Sequence, residues 1–408
     1  MKKIAVIYEG WGEHWPFGHL ADNGRQLLFE YDPEALKQKL ELSPLNLKLR
    51  PQAYGGFPAS QMRLPGLIAD SLPDGWGLLL MDKVFRQQGI RAAEVSPLDR
   101  LSFLGPRGMG ALSFEPGASL EIELKDLKIL EIAKAVQKII ADEASKALPQ
   151  LALLGGSPQG ARPKVLVNYN YKTKIISTDP DGAGFPWLIK FQAEREHKEV
   201  CAIEALYAKL AKGAGLVMGE SEYFDLGKNL AAFGTKRFDR EQKIRIPIHT
   251  LAGALNADFR NPGAVSYTTF LRFTRFMTKS EAEVYKAFRQ CVFNVIFNNR
   301  DDHAKNFSYR LEKDRRWRLS PAYDLTFNSG PGGEHQMDIC GEGKNPGRSH
   351  LMDLAEEGGL EAETCSSIIE EIADAAAKFK MEAKNFPIRP ATVAEIYETI
   401  EENLNRVK

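Results

Sequence analysis

The chain has 408 residues, a hydrophobic fraction of 43% and 54 cationic against 54 anionic side chains. That length suffices for two or three packed units with substantial cores, and zero net charge argues against a protein that grips duplex DNA by itself, which takes a basic excess. Cys201, Cys291, Cys340 and Cys365 are scattered without a Cys-x-x-Cys pair, so a zinc ribbon or a thioredoxin-type site has no support and a reducing bacterial cytoplasm is the expected location. The apolar run that follows Lys2-Lys3 stops at Glu9, too short for the core of a signal peptide. No window approaches the ~18 uncharged apolar residues of a membrane span, so no membrane association is expected.

In chain order, residues 3–8 and 26–31 read as strands, the second stopped by Asp32-Pro33. Residues 67–81, with Ser71-Leu72-Pro73-Asp74-Gly75-Trp76-Gly77 at their middle, end one helix and begin another. Residues 1–120 are therefore expected to form a small mixed accessory domain, linked onward by the charged stretch from Glu121. Leu130, Ile132, Ala133, Val136, Ile139 and Ile140 recur at helical spacing and predict one helix over 127–148. A Gly-rich loop follows at 155–164, then strands at 165–167, 174–177 and 186–191, an amphipathic helix at 200–212 and a strand entering a turn at 233–240. Beyond about residue 245 the pattern is helical except for a hairpin at 307–311 and 315–319. The order predicts an α+β, two-lobed, protein-kinase-like fold: accessory domain 1–120, β-rich lobe 121–240 and mostly helical lobe 241–408.

The most informative stretch is Asn298-Asn299-Arg300-Asp301-Asp302-His303-Ala304-Lys305-Asn306, followed by Ser320-Pro321-Ala322-Tyr323-Asp324-Leu325. ATP-dependent phosphoryl transfer to a hydroxyl uses a carboxylate that accepts or orients the substrate proton, then an amide oxygen and a second carboxylate that hold Mg²⁺ on the phosphates. Asp301, Asn306 and Asp324 supply those groups in that order. Asp302 is the neighbouring alternative to Asp301, with a less suitable spacing to Asn306. Any one of these residues alone has an ordinary reading, Asp301 as a loop aspartate and Asp324 as a helix cap. Lys305 is expected to meet the transferred phosphoryl or to be a solvated cation, and His303 to orient the loop through a backbone hydrogen bond. Lys190, in the apolar run Trp187-Leu188-Ile189-Lys190-Phe191, is either an edge-strand charge or the cation for the α/β-phosphates, with Glu204 on the next helix as its partner. Gly160 and Ala161 belong to a loop whose backbone N–H groups could approach phosphates, although no Walker-type Gly-Lys-Ser/Thr follows. Residues 236–239 should join the lobes, with Lys236 and Phe238 offering backbone groups to an adenine and Asp239 either binding ribose hydroxyls or capping the turn.

At these residues the chain resembles the HipA-like serine/threonine kinases, toxin components of bacterial toxin–antitoxin pairs. The resemblance runs over nearly the whole length and is carried by Asp301-Asp302-His303-Ala304-Lys305-Asn306-Phe307-Ser308, Leu319-Ser320-Pro321-Ala322-Tyr323-Asp324-Leu325, Arg237-Phe238-Asp239-Arg240 and the 71–77 segment. It implies ATP and Mg²⁺ as cofactors, Asp301 as catalytic residue, Asn306 and Asp324 as metal ligands and Lys190 as the phosphate-binding lysine. It further implies that Ser157 is the inhibitory autophosphorylated serine, whose modification ejects the loop. The implied partners are a small HipB-like helix-turn-helix antitoxin, which carries the kinase to operator DNA, and a protein substrate of the aminoacyl-tRNA synthetase class, glutamyl-tRNA synthetase being the best-known target. Phosphorylating it slows translation and renders cells dormant and drug-tolerant. Two departures stand out: Gly160-Ala161-Arg162-Pro163-Lys164 replaces the commoner Gly-Ala-Gln-Glu-Lys, and Lys236 stands where an acidic residue is frequent. The competing readings are a small-molecule kinase of the aminoglycoside or choline type, and a catalytically silent module that only co-represses an operon with its antitoxin.

Overall fold

The computed structural model describes residues 2–117, 127–143, 145–155, 158–179 and 182–408. The N-terminal part is a four-stranded antiparallel sheet of β1 (Lys2–Tyr8), β2 (Trp15–Asp22), β3 (Leu27–Tyr31) and β4 (Leu112–Glu115), ordered β3-β2-β1-β4. Its inner face carries Tyr8, Trp15, Phe17, Phe29 and Tyr31, with Tyr8 stacked on Trp15 at 4.4 Å and Tyr31 edge-on to Phe17 at 5.2 Å. Burying five aromatic side chains dominates the energetics of so small a unit. The helices Gly75–Gln87 and Pro97–Leu104 complete it, the second started by a capping box between Ser96 and Asp99.

The single helix expected over 127–148 is two. Ile129–Ile140 buries Ile132, Ala133, Val136 and Ile139 at helical spacing, and the chain then breaks where Asp142 adopts a left-handed φ of 57°. A second helix, Leu148–Gly155, leads to the Gly-rich loop. The next sheet is antiparallel, with β5 (Lys164–Asn170), β6 (Ile175–Ser177), β7 (Phe185–Phe191), β8 (Ser221–Asp225) and β9 (Ala231–Lys236) ordered β6-β5-β7-β9-β8. The helix Glu199–Gly213 lies between β7 and β8 in the chain and packs on this sheet.

After β9 a short ribbon, β10 (Arg240–Glu241) with β11 (Ile244–Arg245), leads to β12 (Ile248–Thr250), which pairs with the hairpin of β13 (Ser308–Leu311) and β14 (Trp317–Leu319). The helices Tyr267–Thr278, Glu281–Ile296, Ala362–Ala377 and Pro390–Val407 form the bulk of this lobe. The two-lobed α+β architecture with a mixed N-terminal domain is thus as expected, and buried apolar side chains from all three parts form one contiguous core.

Two polar seams bind the N-terminal domain to the lobes. In the first, Asp70 accepts hydrogen bonds from the Thr250 N–H at 2.8 Å and the Thr250 hydroxyl at 2.7 Å, and lies 2.7 Å from Nδ1 of buried His249. The short helices Gly66–Ala69 and Leu251–Leu255 approach so closely that a Cβ on Gly66 would lie 1.9 Å from the Gly253 carbonyl oxygen. In the second, Asp239 is fully buried and accepts from Arg237 at 2.8 and 2.7 Å, from Arg240 at 2.8 Å and from the Gly110 N–H at 2.8 Å. Arg240 and Arg245 in turn donate to the carbonyls of Gly108 and Gly110, and Arg245 pairs with Glu9 at 2.6 Å. Burial alone would raise the Asp239 carboxyl, but Arg237 and Arg240 hold it well below the usual carboxylate range.

Removing one member of a buried ion network leaves its partners desolvated and unpaired. Asp239→Ala is therefore expected to destabilise the chain by about 3–5 kcal/mol, seen as a lower urea midpoint; an unchanged midpoint would mean that the seam does not hold the domains.

Candidate active site

A cavity of about 550 Å³ opens where the two lobes and the N-terminal domain meet. Its roof is β5, β7 and the Gly-rich loop, its back is the hinge after β9, and its floor is the loop before β13 together with the turn after β14. Lys190, Glu204, Lys236, Phe238, Asp239, Gly160, Ala161, Asp301, Lys305, Asn306 and Asp324, far apart in sequence, all line it. Ser157 lies outside the described residues.

Lys190 is a β7 residue with a side chain 8% exposed, and its ammonium sits 2.5 Å from Glu204 Oε1 and 2.5 Å from Asp324 Oδ1. Glu204 reaches it from the buried face of the helix Glu199–Gly213. Burial disfavours the charge, yet Asp324 and Glu204 together raise the Lys190 ammonium above its ordinary range. Asp324 shows the complement: burial pushes its carboxyl up, and Lys190 and Lys164 more than reverse this, so it stays ionised. It takes a left-handed φ of 58°, which Asp tolerates better than bulkier residues. The preceding turn is tied to the upper lobe by the Ala322 N–H, which donates to the Val217 carbonyl at 2.8 Å.

The loop bearing Asp301 follows the helix Glu281–Ile296, whose continuation ends where Asn298 turns left-handed with φ 53°. The adjacent aspartates part ways. Asp302 is 0% exposed and points into the lobe, accepting from the Tyr267 hydroxyl at 2.8 Å and the Gln336 N–H at 2.8 Å, with His335 Nδ1 at 2.6 Å. Asp301 points into the cavity, its side chain 42% exposed, with Gln336 Nε2 donating to it at 3.1 Å and His303 Nε2 at 3.8 Å. Partial burial raises the Asp301 carboxyl, His303 opposes this, and nearby Asp324 adds to it. Asn306 donates its amide N–H to the Asp301 carbonyl at 2.7 Å, which leaves the amide oxygen as its remaining polar group.

Three expectations need correction. Asp239 is held by Arg237, Arg240 and the Gly110 N–H, so its carboxylate belongs to the domain seam rather than to a ribose. The Gly160 N–H, expected to face a phosphate, is donated to the Asp74 carboxylate. Among the described residues the His303 ring makes no backbone hydrogen bond; its Nδ1 is buried without a partner, and its ring centre lies 5.2 Å from that of Phe259 in a tilted arrangement. The Lys236 ammonium rests over the Phe185 ring at 4.9 Å and its N–H is donated to the Glu220 carbonyl at 2.8 Å, which leaves its carbonyl as the backbone group that could meet a base. Phe238 packs on Tyr323 at 5.3 Å, and the Tyr323 hydroxyl donates to the Lys305 carbonyl at 2.7 Å.

Sequence reasoning missed Lys164. It pairs with Lys190 across β5 and β7, and its buried ammonium donates to the Gln159 carbonyl at 2.5 Å. Burial lowers it to about 8, partly offset by Asp324. The signal was a second lysine starting the strand after the Gly-rich loop, but its meaning rests on strand register, which spacing does not reveal. Lys305 is also buried, with its ammonium 3.4 Å from Asp74 and 4.6 Å from the centre of the Phe259 ring, so the solvated-cation alternative does not hold.

The chain is thus a two-lobed α+β protein whose interlobe cleft holds two buried lysines, one of them, Lys190, paired with two carboxylates. Comparison with known proteins identifies the lineage. Residues 156–379 match the HipA-like C-terminal domain and residues 9–115 the HipA N-terminal domain, so the chain belongs to the HipA-like family. Shewanella oneidensis HipA, solved together with HipB and operator DNA, superposes with a TM-score of 0.72 at 18% identity, covering 98% of this chain and 96% of that one. A Haemophilus influenzae protein provisionally named a kinase is 30% identical over 147 residues, a match spanning 33% of this chain and 41% of that relative.

With Lys164 near 8, its charge is present below that pH and lost above it. Affinity for tripolyphosphate, measured by calorimetry, should therefore fall from about pH 7 to about pH 9 by up to tenfold per unit, and Lys164→Met should flatten the profile. A wild-type affinity independent of pH over that range would contradict the placement.

Proposed function

We propose that this chain is an ATP- and Mg²⁺-dependent serine/threonine protein kinase and the toxin of a pair completed by a HipB-like helix-turn-helix antitoxin. One observation carries the reading: the buried Lys190 ammonium is shared by Glu204 and Asp324 in the same cleft that Asp301 and Asn306 line. The donor set fits a hard divalent cation, with the Asp324 carboxylate kept ionised and the Asn306 oxygen left over from its own hydrogen bond. With two side-chain ligands, such an ion would be completed by phosphate oxygens and water. When bound there, Mg²⁺ would neutralise charge on the transferred phosphoryl.

The remaining work falls to the chain. Lys190, steadied by Glu204, would orient the α- and β-phosphates, with Lys164 adding charge from the neighbouring strand. Lys236 and Phe238 would meet the base through their main chain. Asp301 would hold the substrate hydroxyl and take its proton, and its raised pKa makes it a better base than an ordinary carboxylate. Activity should accordingly decline as pH falls through that raised value. Lys305 would meet the transferred group from the same loop.

The family and the Shewanella complex support the antitoxin partner, and the balanced charge agrees with DNA contact resting mainly on that partner. Ser157, in the loop whose Pro158 and Gln159 line the cleft, is the proposed site of inhibitory autophosphorylation. An aminoacyl-tRNA synthetase, glutamyl-tRNA synthetase first, is the proposed substrate on the family resemblance. A cytoplasmic site of action is proposed on the family resemblance; separately, no described helix is long and apolar enough to cross a membrane.

Incubation with labelled ATP and Mg²⁺, followed by mass-spectrometric mapping, should find phosphate on Ser157; label only on an added aminoglycoside or choline would overturn the protein-kinase reading. Asp301→Asn should lower transfer by about 10²–10⁴-fold with nucleotide affinity nearly unchanged, and transfer at the original rate would refute its role. Asp324→Ala should instead weaken Mg·ATP binding, and wild-type affinity across a Mg²⁺ titration would reject it as a ligand.

A further inference from the structure

Asp74 precedes the helix Gly75–Gln87 at the N-cap position, where an aspartate carboxylate ordinarily accepts an N–H of the first helical turn. Here it makes no such bond. It is turned out of its own helix: one oxygen accepts the Gly160 N–H and the other lies 3.4 Å from the Lys305 ammonium. The contact does not stand alone. Gln159 donates to the Asp70 carbonyl at 3.0 Å, the Trp76 N–H donates to the Gly160 carbonyl at 3.3 Å, and the Trp76 indole donates to the Lys164 carbonyl at 3.0 Å. Gly75 lies so close that a Cβ there would meet the Ala161 Cα at 2.6 Å. The Gly-rich loop is thus bound, mostly through its backbone, to one segment of the N-terminal domain.

We propose that Asp74 is a positioning residue of the phosphotransfer site, a carboxylate supplied by the N-terminal domain that sets the Gly-rich loop through Gly160 and the catalytic-loop cation through Lys305. The Lys305 half rests on the kinase reading; the loop half stands on geometry alone. Two loops that reach the cleft from different lobes are held at a fixed separation by one anion between them, and such fixed geometry is what transfer between bound groups requires. The N-terminal domain is then part of the site and not only an attachment to it.

The test compares the full chain with Asp74→Asn and Asp74→Ala. Asparagine keeps an acceptor for Gly160 but offers Lys305 no charge; alanine offers neither. In nucleotide-free protein, hydrogen exchange of peptides covering 158–165 should accelerate about tenfold in Asp74→Ala and stay near wild type in Asp74→Asn. Under turnover, kcat should fall about tenfold to a hundredfold in both, while KM for Mg·ATP should rise only in Asp74→Ala. Loop exchange in Asp74→Ala equal to wild type would overturn the proposal, as would acceleration spread evenly over the β1–β4 sheet, which marks a structural role only. If the wild-type chain transfers no phosphoryl at all, the kinase reading fails, and the exchange comparison alone decides whether Asp74 holds the loop.

Discussion

The ammonium of Lys190, buried between Glu204 and Asp324, is the contact on which the rest of the site depends. A lone charge at that depth would be prohibitive, so the fold must deliver two carboxylates to one point. β7 brings the lysine, the helix Glu199–Gly213 brings one acid, and the turn after β14 brings the other. The same triad joins the lobes, because Lys190 and Glu204 belong to the upper one and Asp324 to the lower. A phosphate entering the cleft would compete with Asp324 for the lysine, and a divalent cation would compensate the carboxylate thus released.

Three further buried aspartates keep that arrangement in register. Asp70 and Asp239 fasten the N-terminal domain to the lower lobe and to the hinge, and Asp302 fastens the loop that presents Asp301. Each is satisfied by several donors, as buried ionised groups must be. The contrast between neighbours is instructive. Asp302 is buried among three hydrogen-bonding partners and is structural, whereas Asp301 keeps oxygen surface toward the cavity and a raised pKa. The environment, not the residue type, assigns the role.

Much of this was legible in the sequence where spacing and order are themselves the signal. Asp301, Asn306 and Asp324 sit on consecutive elements of one lobe, and Lys190 stands out as a charge in an apolar strand with an acid on the next helix. The weaker strands escaped for physical reasons. β2 carries Pro16, Gly18 and His19, which blur its alternation, and β8 (Ser-Glu-Tyr-Phe-Asp) is only partly buried. Asp239 was misread although Arg237 and Arg240 flank it, because its burial depends on Gly110, far away in the chain. Lys164 and Asp74 were missed for the same reason, since each acquires its meaning through register or docking that no local pattern encodes.

The most direct measurement is a crystal structure of the chain with Mg²⁺ and a non-hydrolysable ATP analogue. The account predicts the ion bound by the Asn306 amide oxygen and the Asp324 carboxylate, the Lys190 ammonium moved from Asp324 onto the phosphates with Glu204 still beside it, and Asp301 facing the terminal phosphoryl. A nucleotide seated outside the interlobe cleft, or an ion held by other side chains while Lys190 and Asp324 stay paired, would contradict it.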